Sequence, residues 1–86
     1  MSEVILHRRA LRYLQRLSKA DQARVRTHLS QLGEDPIGHP GLIRMAGEWT
    51  GYYRIRIGDL RVIFWYEIED DIVYVDHIGP RGDVYR

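Results

Sequence analysis

Between Gly51 and Ile63 the chain alternates residue by residue across a single tight Gly-Asp connection, and this pattern constrains the architecture more than any other feature. Tyr53, Ile55 and Ile57 fall on one side of a period of two, and Tyr52, Arg54 and Arg56 fall on the other. Gly58-Asp59 suits a two-residue turn. Beyond it Leu60, Val62, Phe64, Tyr66 and Ile68 continue an apolar face, while Arg61, Ile63, Trp65 and Glu67 take the opposite one. The alternation predicts an antiparallel hairpin with one face buried, so a second layer must cover that face.

The rest of the chain supplies that layer. Ala10, Leu11, Leu14 and Leu17 recur at helical spacing, with Arg8, Arg12 and Arg16 in an i, i+4 row on the other side. Ser18 followed by Asp21 resembles a capping box, and Val25, Leu29 and Leu32 form a second apolar stripe ending at Gly33, a natural C-cap. The stretch from Glu34 to Gly41 holds Pro36, Gly38, Pro40 and Gly41, too many breakers for regular structure, and is expected to be the loop from helices to sheet. Val4 to Leu6 fits a brief opening strand. After a charged turn at Glu69, Asp70 and Asp71, Ile72 to Ile78 fits a strand apolar on both sides, as a central position requires. The expectation is an α+β fold, β-α-α-β-β-β, with a two-helix hairpin packed on one face of a small, mostly antiparallel sheet. At 86 residues the chain has material for one core, hence one domain over 1–86.

Composition excludes several classes of function. The chain has no cysteine, which removes disulfides, thiolate metal sites and thiol nucleophiles. His7, His28, His39 and His77 show no metal-ligand spacing, and there is no glycine-rich phosphate loop and no Ser-His-Asp arrangement, so neither a metal nor another cofactor is expected. No run of 18 apolar residues and no signal-peptide pattern is present, so the expected location is the cytoplasm, with no membrane association. The net charge is only +1, but residues 1–33 hold seven basic and two acidic side chains, whereas residues 34–86 hold six basic and ten acidic ones. A basic face of the first half is therefore expected, either solvated or in contact with an anionic partner.

The arginines of the hairpin are the residues most suited to chemistry. Arg54 and Arg56 share a strand face at about 7 Å, close to the spacing of successive phosphates on a single strand. Arg61 lies just past the turn and points away from the apolar face, so strand pairing can bring it to the same surface. A guanidinium donates bidentate hydrogen bonds to phosphate oxygens and stays charged at any working pH. Arginines on a half-buried strand also serve simply as solubilising residues, and spacing alone leaves both roles open. Near the C-terminus Arg81 precedes Tyr85 by four residues, and a cation beside a phenol favours the phenolate. His77, four residues before Arg81, is a possible acid or base.

Three segments together resemble the RelE/ParE superfamily of toxins from type II toxin–antitoxin modules. They are ALRYLQRL from Ala10, MAGEWTGYYRIRIGDLRVIF from Met45, and IGPRGDVY from Ile78. The last two are similar to the family forms L-x-G … Y-R-I-R-x-G-D-Y-R-V-x-Y and I-G-H-R-x-x-V-Y. The resemblance covers nearly the whole chain and implies a RelE-like, microbial-ribonuclease-like fold.

The resemblance implies a ribosome-dependent endoribonuclease that cuts messenger RNA and inhibits translation, is neutralised by a cognate antitoxin, and forms a hetero-oligomeric complex with it. Its functional positions fall on Arg54 and Arg56 as phosphate-binding residues and on Arg61, Arg81 and Tyr85 as catalytic ones. Arg8, Arg12 and Arg16 are the candidates for ribosome contact. The superfamily's other branch, similar to ParE, poisons DNA gyrase and generally lacks the complete nuclease set, and an inactive antitoxin-binding module is a further alternative. All five nuclease positions are filled here, which favours the RelE-like branch. Two positions depart from the pattern: Pro80 stands where many relatives carry His, and Arg54 and Arg56 stand where lysines are usual. Neither arginine can lose its proton, so proton removal is left to Tyr85, His77 or a ribosomal group.

Overall fold

A computed structural model describes residues 1–80 of the chain. The elements are β1 (Glu3–Leu6), α1 (Arg8–Arg16), α2 (Lys19–Glu34), β2 (Ile43–Arg44), a 3₁₀ turn (Gly47–Trp49), β3 (Tyr53–Ile57), β4 (Leu60–Glu67) and β5 (Ile72–Pro80). The expected order is present with one addition, the two-residue edge strand β2, which is too short to produce any periodicity. The strands lie in the order β1-β5-β4-β3-β2, and β1 pairs with β5 in parallel while the other neighbours are antiparallel. The result is an α+β fold with both helices on one face of a mixed, mostly antiparallel sheet.

Local chemistry sets the helix boundaries. His7 caps α1 by accepting the Arg9 N–H at Nδ1, and Ser18 caps α2 by accepting the Asp21 N–H. Helix α1 buries Ala10 and Leu14, with Tyr13 and Leu17 packed against the same core. Leu11, expected in that stripe, is instead 42% exposed. The true i, i+3, i+4, i+7 set is 10, 13, 14 and 17, so Tyr13 takes the place assigned to Leu11, which lies about 100° further round the helix from Ala10. Helix α2 adds Val25, Leu29 and Leu32, and the sheet contributes Ile55, Ile57, Leu60, Val62, Phe64, Val73, Val75 and Ile78.

Gly33 does not cap its helix. It lies inside α2, whose C-cap is Asp35, and it is buried because β1 presses against it. The Ser2 N–H donates to the Gly33 carbonyl at 2.6 Å, and a Cβ there would meet the Ser2 carbonyl oxygen at 3.3 Å and Val4 Cγ2 at 3.4 Å. Ile68 also departs from expectation: β4 stops at Glu67 and Ile68 is 71% exposed in the turn. That turn is held by Asp71, which adopts a left-handed φ of 55°, a conformation more open to Asp than to most side chains. The Asp71 carboxylate accepts hydrogen bonds from the Ser2 hydroxyl at 2.5 Å and the Tyr66 hydroxyl at 2.6 Å, tying the start of the chain to the β4–β5 turn. Those two bonds hold the Asp71 carboxyl below the usual carboxylate range, and the bond to Asp71 raises the Tyr66 phenol above its ordinary value.

Candidate functional site

The sheet face turned away from the helices gathers the predicted basic residues. Arg54 pairs with Ile63 across β3 and β4, Ile63 pairs with His77 on β5, and on the other side Ile43 of β2 pairs with Arg54. One row across the sheet therefore reads Ile43, Arg54, Ile63, His77. The neighbouring row reads Arg56, Arg61, Gly79. Arg56 and Arg61 sit directly opposite each other, where like charges destabilise a strand pair. Ile63 is 0% exposed yet stands outside the helix-side core cluster, so it forms the apolar floor of this face. Further along, Trp65 stacks on its cross-strand partner Tyr74, with ring centroids 4.7 Å apart.

His77 reaches this face because β5 carries a bulge. Val73 and Val75 point to the core, and uninterrupted alternation would send His77 after them. The register instead shifts between Ile63 and Phe64: Phe64 pairs with Val75 and Ile63 with His77, leaving Asp76 as the extra residue. After the bulge Ile78 returns to the core opposite Val62. An inserted residue re-aims the side chains that follow it.

The arginines border two adjoining clefts. One of about 310 Å³ is lined by Gly41, Ile43, Arg54, Arg56 and Arg61. The second, of about 370 Å³, shares Ile43, Arg54 and Arg61 and extends to Arg44, Met45, Ala46 and Trp49. Ile43, Gly41 and Trp49 were not anticipated as site residues. The signal available was the pair Gly47 and Gly51 around Trp49, which marks a built turn rather than a plain linker. A roomier groove of about 500 Å³ lies elsewhere, between β1 and α2, with Val4, Leu6 and Leu29 on its apolar wall.

The loop that carries Gly41 to the cleft is fixed by histidines. His39 Nδ1 accepts the Gly41 N–H at 2.9 Å, so Nε2 holds the ring's proton and donates it to His28 Nδ1 on α2, also at 2.9 Å. Burial lowers the His39 pKa, and the neighbouring His28 lowers it further. Arg8, Arg12 and Arg16 remain together on α1, where they line a groove with Tyr13 in the helix layer, across the sheet from the clefts. Arg81 and Tyr85 lie outside the described residues.

The sequence matches a known family. Residues 4–85 match the family described as ParE toxin of the type II toxin–antitoxin system parDE. The chain belongs to this toxin family. The toxin also resembles the archaeal RelE in its complex with RelB from Pyrococcus horikoshii, at 30% identity and a TM-score of 0.82, with 96% of this chain and 98% of that one covered. The isolated RelE toxin of E. coli gives a TM-score of 0.77 at 20% identity, covering 99% of this chain and 92% of its own. YafQ of E. coli gives 0.80 at 12% identity with both chains fully covered, at 100% each. Likeness at these lower identities concerns the fold alone. No curated protein sequence matches the toxin. Among the described residues no helix is long and apolar enough to cross a membrane.

Proposed function

We propose that the toxin is a ribosome-dependent endoribonuclease acting on messenger RNA, working as one domain over residues 1–86 and held inactive by a cognate antitoxin. The observation that carries this proposal is the convergence of Arg54, Arg56 and Arg61 on one sheet face, with Arg56 and Arg61 directly opposed across the strand pair. Arginines at opposed positions of a strand pair present guanidinium groups suited to holding one anion by charge-assisted hydrogen bonds. The similar structure of an archaeal RelE bound to RelB supports the antitoxin as partner.

In the proposed reaction the ribose 2′-oxygen attacks its own 3′-phosphorus, the bond from phosphorus to the 5′-oxygen breaks, and a 2′,3′-cyclic phosphate and a 5′-hydroxyl result. DNA lacks the nucleophile. The 2′-hydroxyl proton passes to Tyr85, His77 or a ribosomal group, and the leaving oxygen takes up a proton. Arg61 and Arg81 stabilise charge on the phosphoryl oxygens, and Arg54 and Arg56 hold flanking phosphates. Tyr85 acts as base or stacks on a nucleobase. The exposed row Arg8, Arg12 and Arg16 faces ribosomal RNA, an association that weakens steeply with salt. Such a site works by positioning and electrostatics, so the ribosome's hold on the messenger supplies much of its power.

A second reading is favoured by the matched family itself, described as the toxin of parDE: a poison without nuclease activity, acting on DNA gyrase through protein contact. Primer extension on messenger from cells expressing the toxin, run beside a supercoiling assay, separates the two. Discrete new 5′ ends with unchanged supercoiling are expected. Inhibited supercoiling with intact messenger overturns the proposal.

A further inference from the structure

Trp49 stands beside the arginine clefts on a turn that is tied at every step. The Met45 N–H donates to the Tyr52 carbonyl at 3.0 Å, the Tyr52 N–H to the Trp49 carbonyl at 2.9 Å, and the Trp49 N–H to the Ala46 carbonyl at 3.3 Å. The Thr50 hydroxyl closes on the Gly47 carbonyl at 2.7 Å. Gly47 and Gly51 bracket the turn at φ values of 65° and 98°, in a region that other residues rarely adopt. The Tyr52 ring meets the indole edge-on, with centroids 5.1 Å apart and an interplanar angle of 86°. A large aromatic ring is thus set in place before any ligand arrives.

The cleft in front of it has two chemically different walls. Trp49, Met45, Ala46 and Ile43 form an apolar and aromatic one, with Ile43 48% exposed, and Arg54 and Arg61, with Arg44 also lining the cleft, supply the cationic one. A phosphate alone is served by the arginines and has no use for the indole. An apolar peptide is served by the indole and is not drawn to guanidinium groups. A nucleotide carries both parts, a flat aromatic base one sugar away from its phosphate. Arg54 and Arg61 also line the adjoining cleft with Arg56, so a strand whose phosphates follow the arginines brings a base to the indole.

We infer that Trp49, backed by Met45 and Ile43, forms a nucleobase subsite in which one base of single-stranded RNA stacks beside the phosphate held by Arg54 and Arg61. The inference rests on the arginine face being a phosphate site. Because every base offers a π-face, the subsite adds affinity and register with little discrimination between bases.

The sequence has two tryptophans, so a Trp65→Phe variant leaves Trp49 as the sole indole reporter. The probes are a short 2′-O-methyl RNA oligonucleotide, which the proposed reaction cannot cleave, and ribose 5-phosphate, which has the phosphate without the base. The oligonucleotide is expected to quench Trp49 fluorescence as it binds, and ribose 5-phosphate is expected to leave it unchanged. Trp49→Ala should weaken oligonucleotide binding, followed by anisotropy, by roughly 5- to 150-fold, the equivalent of losing one stacked base, and Trp49→Phe should restore most of it. Binding that saturates by anisotropy without quenching, with Trp49→Ala binding as tightly as the parent, overturns the subsite and leaves the phosphate site standing. No binding of the oligonucleotide at all removes both.

Discussion

Arg9 of α1 grips Asp76 of β5 at both its backbone and its side chain. The guanidinium Nε donates to the Asp76 carbonyl at 3.2 Å, and Nη2 lies 3.3 and 3.5 Å from the two carboxylate oxygens. Asp76 is the extra residue of the bulge, so the helix layer holds the distortion that turns His77 toward the arginines. The Arg9 side chain is 57% exposed and that of Asp76 20%, so the ion pair is partly screened by solvent, and Arg9→Ala should cost about 1 kcal/mol or less in denaturant melts. Its effect on cleavage should be larger if His77 takes part in proton transfer. In single-turnover assays Arg9→Ala and His77→Ala should each slow cleavage, and the double variant should be little slower than His77→Ala. Fully additive losses would detach the bulge from any role of His77.

Arg56 and Arg61 make a separate test of the phosphate face. Since they oppose each other as like charges, Arg56→Gln should leave stability unchanged or raise it by up to about 1 kcal/mol. The same change should lower cleavage roughly 10- to 150-fold, the range expected for one charge-assisted hydrogen bond to phosphate. A loss of stability with full activity would mark Arg56 as an ordinary surface residue.

Local periodicity carried most of the fold, and failed where two elements approach. Alternation of Arg54 and Arg56 with Ile55 and Ile57 correctly separated the two sheet faces, and the spacing of Arg56 and Arg61 about Gly58-Asp59 correctly put them together. Gly33 had the sequence context of a cap but is a packing glycine under β1, and that role depends on Ser2 and Val4, which precede both helices in the chain. His77 was placed near the site by its distance from Arg81, whereas the cause is a bulge, which follows from how β5 pairs with β4. The edge strand β2 and the Trp49 turn were missed because two residues hold no period and a hydrogen-bonded turn shows itself only in its backbone.

Substitutions at Arg81 and Tyr85 test whether binding and chemistry can be separated. Arg81 is proposed to stabilise charge on the reacting phosphate, so Arg81→Ala should lower single-turnover cleavage by at least about 10²-fold while ribosome affinity stays nearly intact. Tyr85→Phe keeps the ring and removes the hydroxyl. If the phenol is the base, the loss should be about 10²–10⁴-fold, and if the ring only stacks, the variant should be nearly silent. Full cleavage by both variants would take the tail out of the site and favour the non-catalytic reading.

Core and surface leucines of α1 should respond differently. Leu14 is 3% exposed in the core, so Leu14→Ala should cost about 2–5 kcal/mol. Leu11 is a partly exposed flank residue, and Leu11→Ala should change stability by no more than about 0.5 kcal/mol. Urea melts of the two variants check this, and similar losses at both positions would mean that the helix packs on a different face.

The His39 pair should make the rim of the arginine cleft sensitive to acid. His39 must stay neutral to accept the Gly41 N–H, and its folded pKa is lowered by burial and by His28. The unfolded chain takes up this proton near pH 6.5, its ordinary value, whereas the folded chain resists it until a lower pH. The contribution of His39 to stability is therefore fully present above about pH 6.5 and is lost as the pH falls from there through the folded pKa. Glu34 and Asp35 line a cavity with His39. The chain carries three further histidines, His7, His28 and His77, so the measurement is a difference between parent and variant. Urea midpoints of the parent should fall more between pH 7.5 and 5 than those of a His39→Gln variant. RNA binding should weaken over the same interval only in the parent, because Gly41 loses its anchor beside Arg54, Arg56 and Arg61. Superimposable profiles for the two proteins would show that the histidine pair is a packing contact with no hold on the cleft.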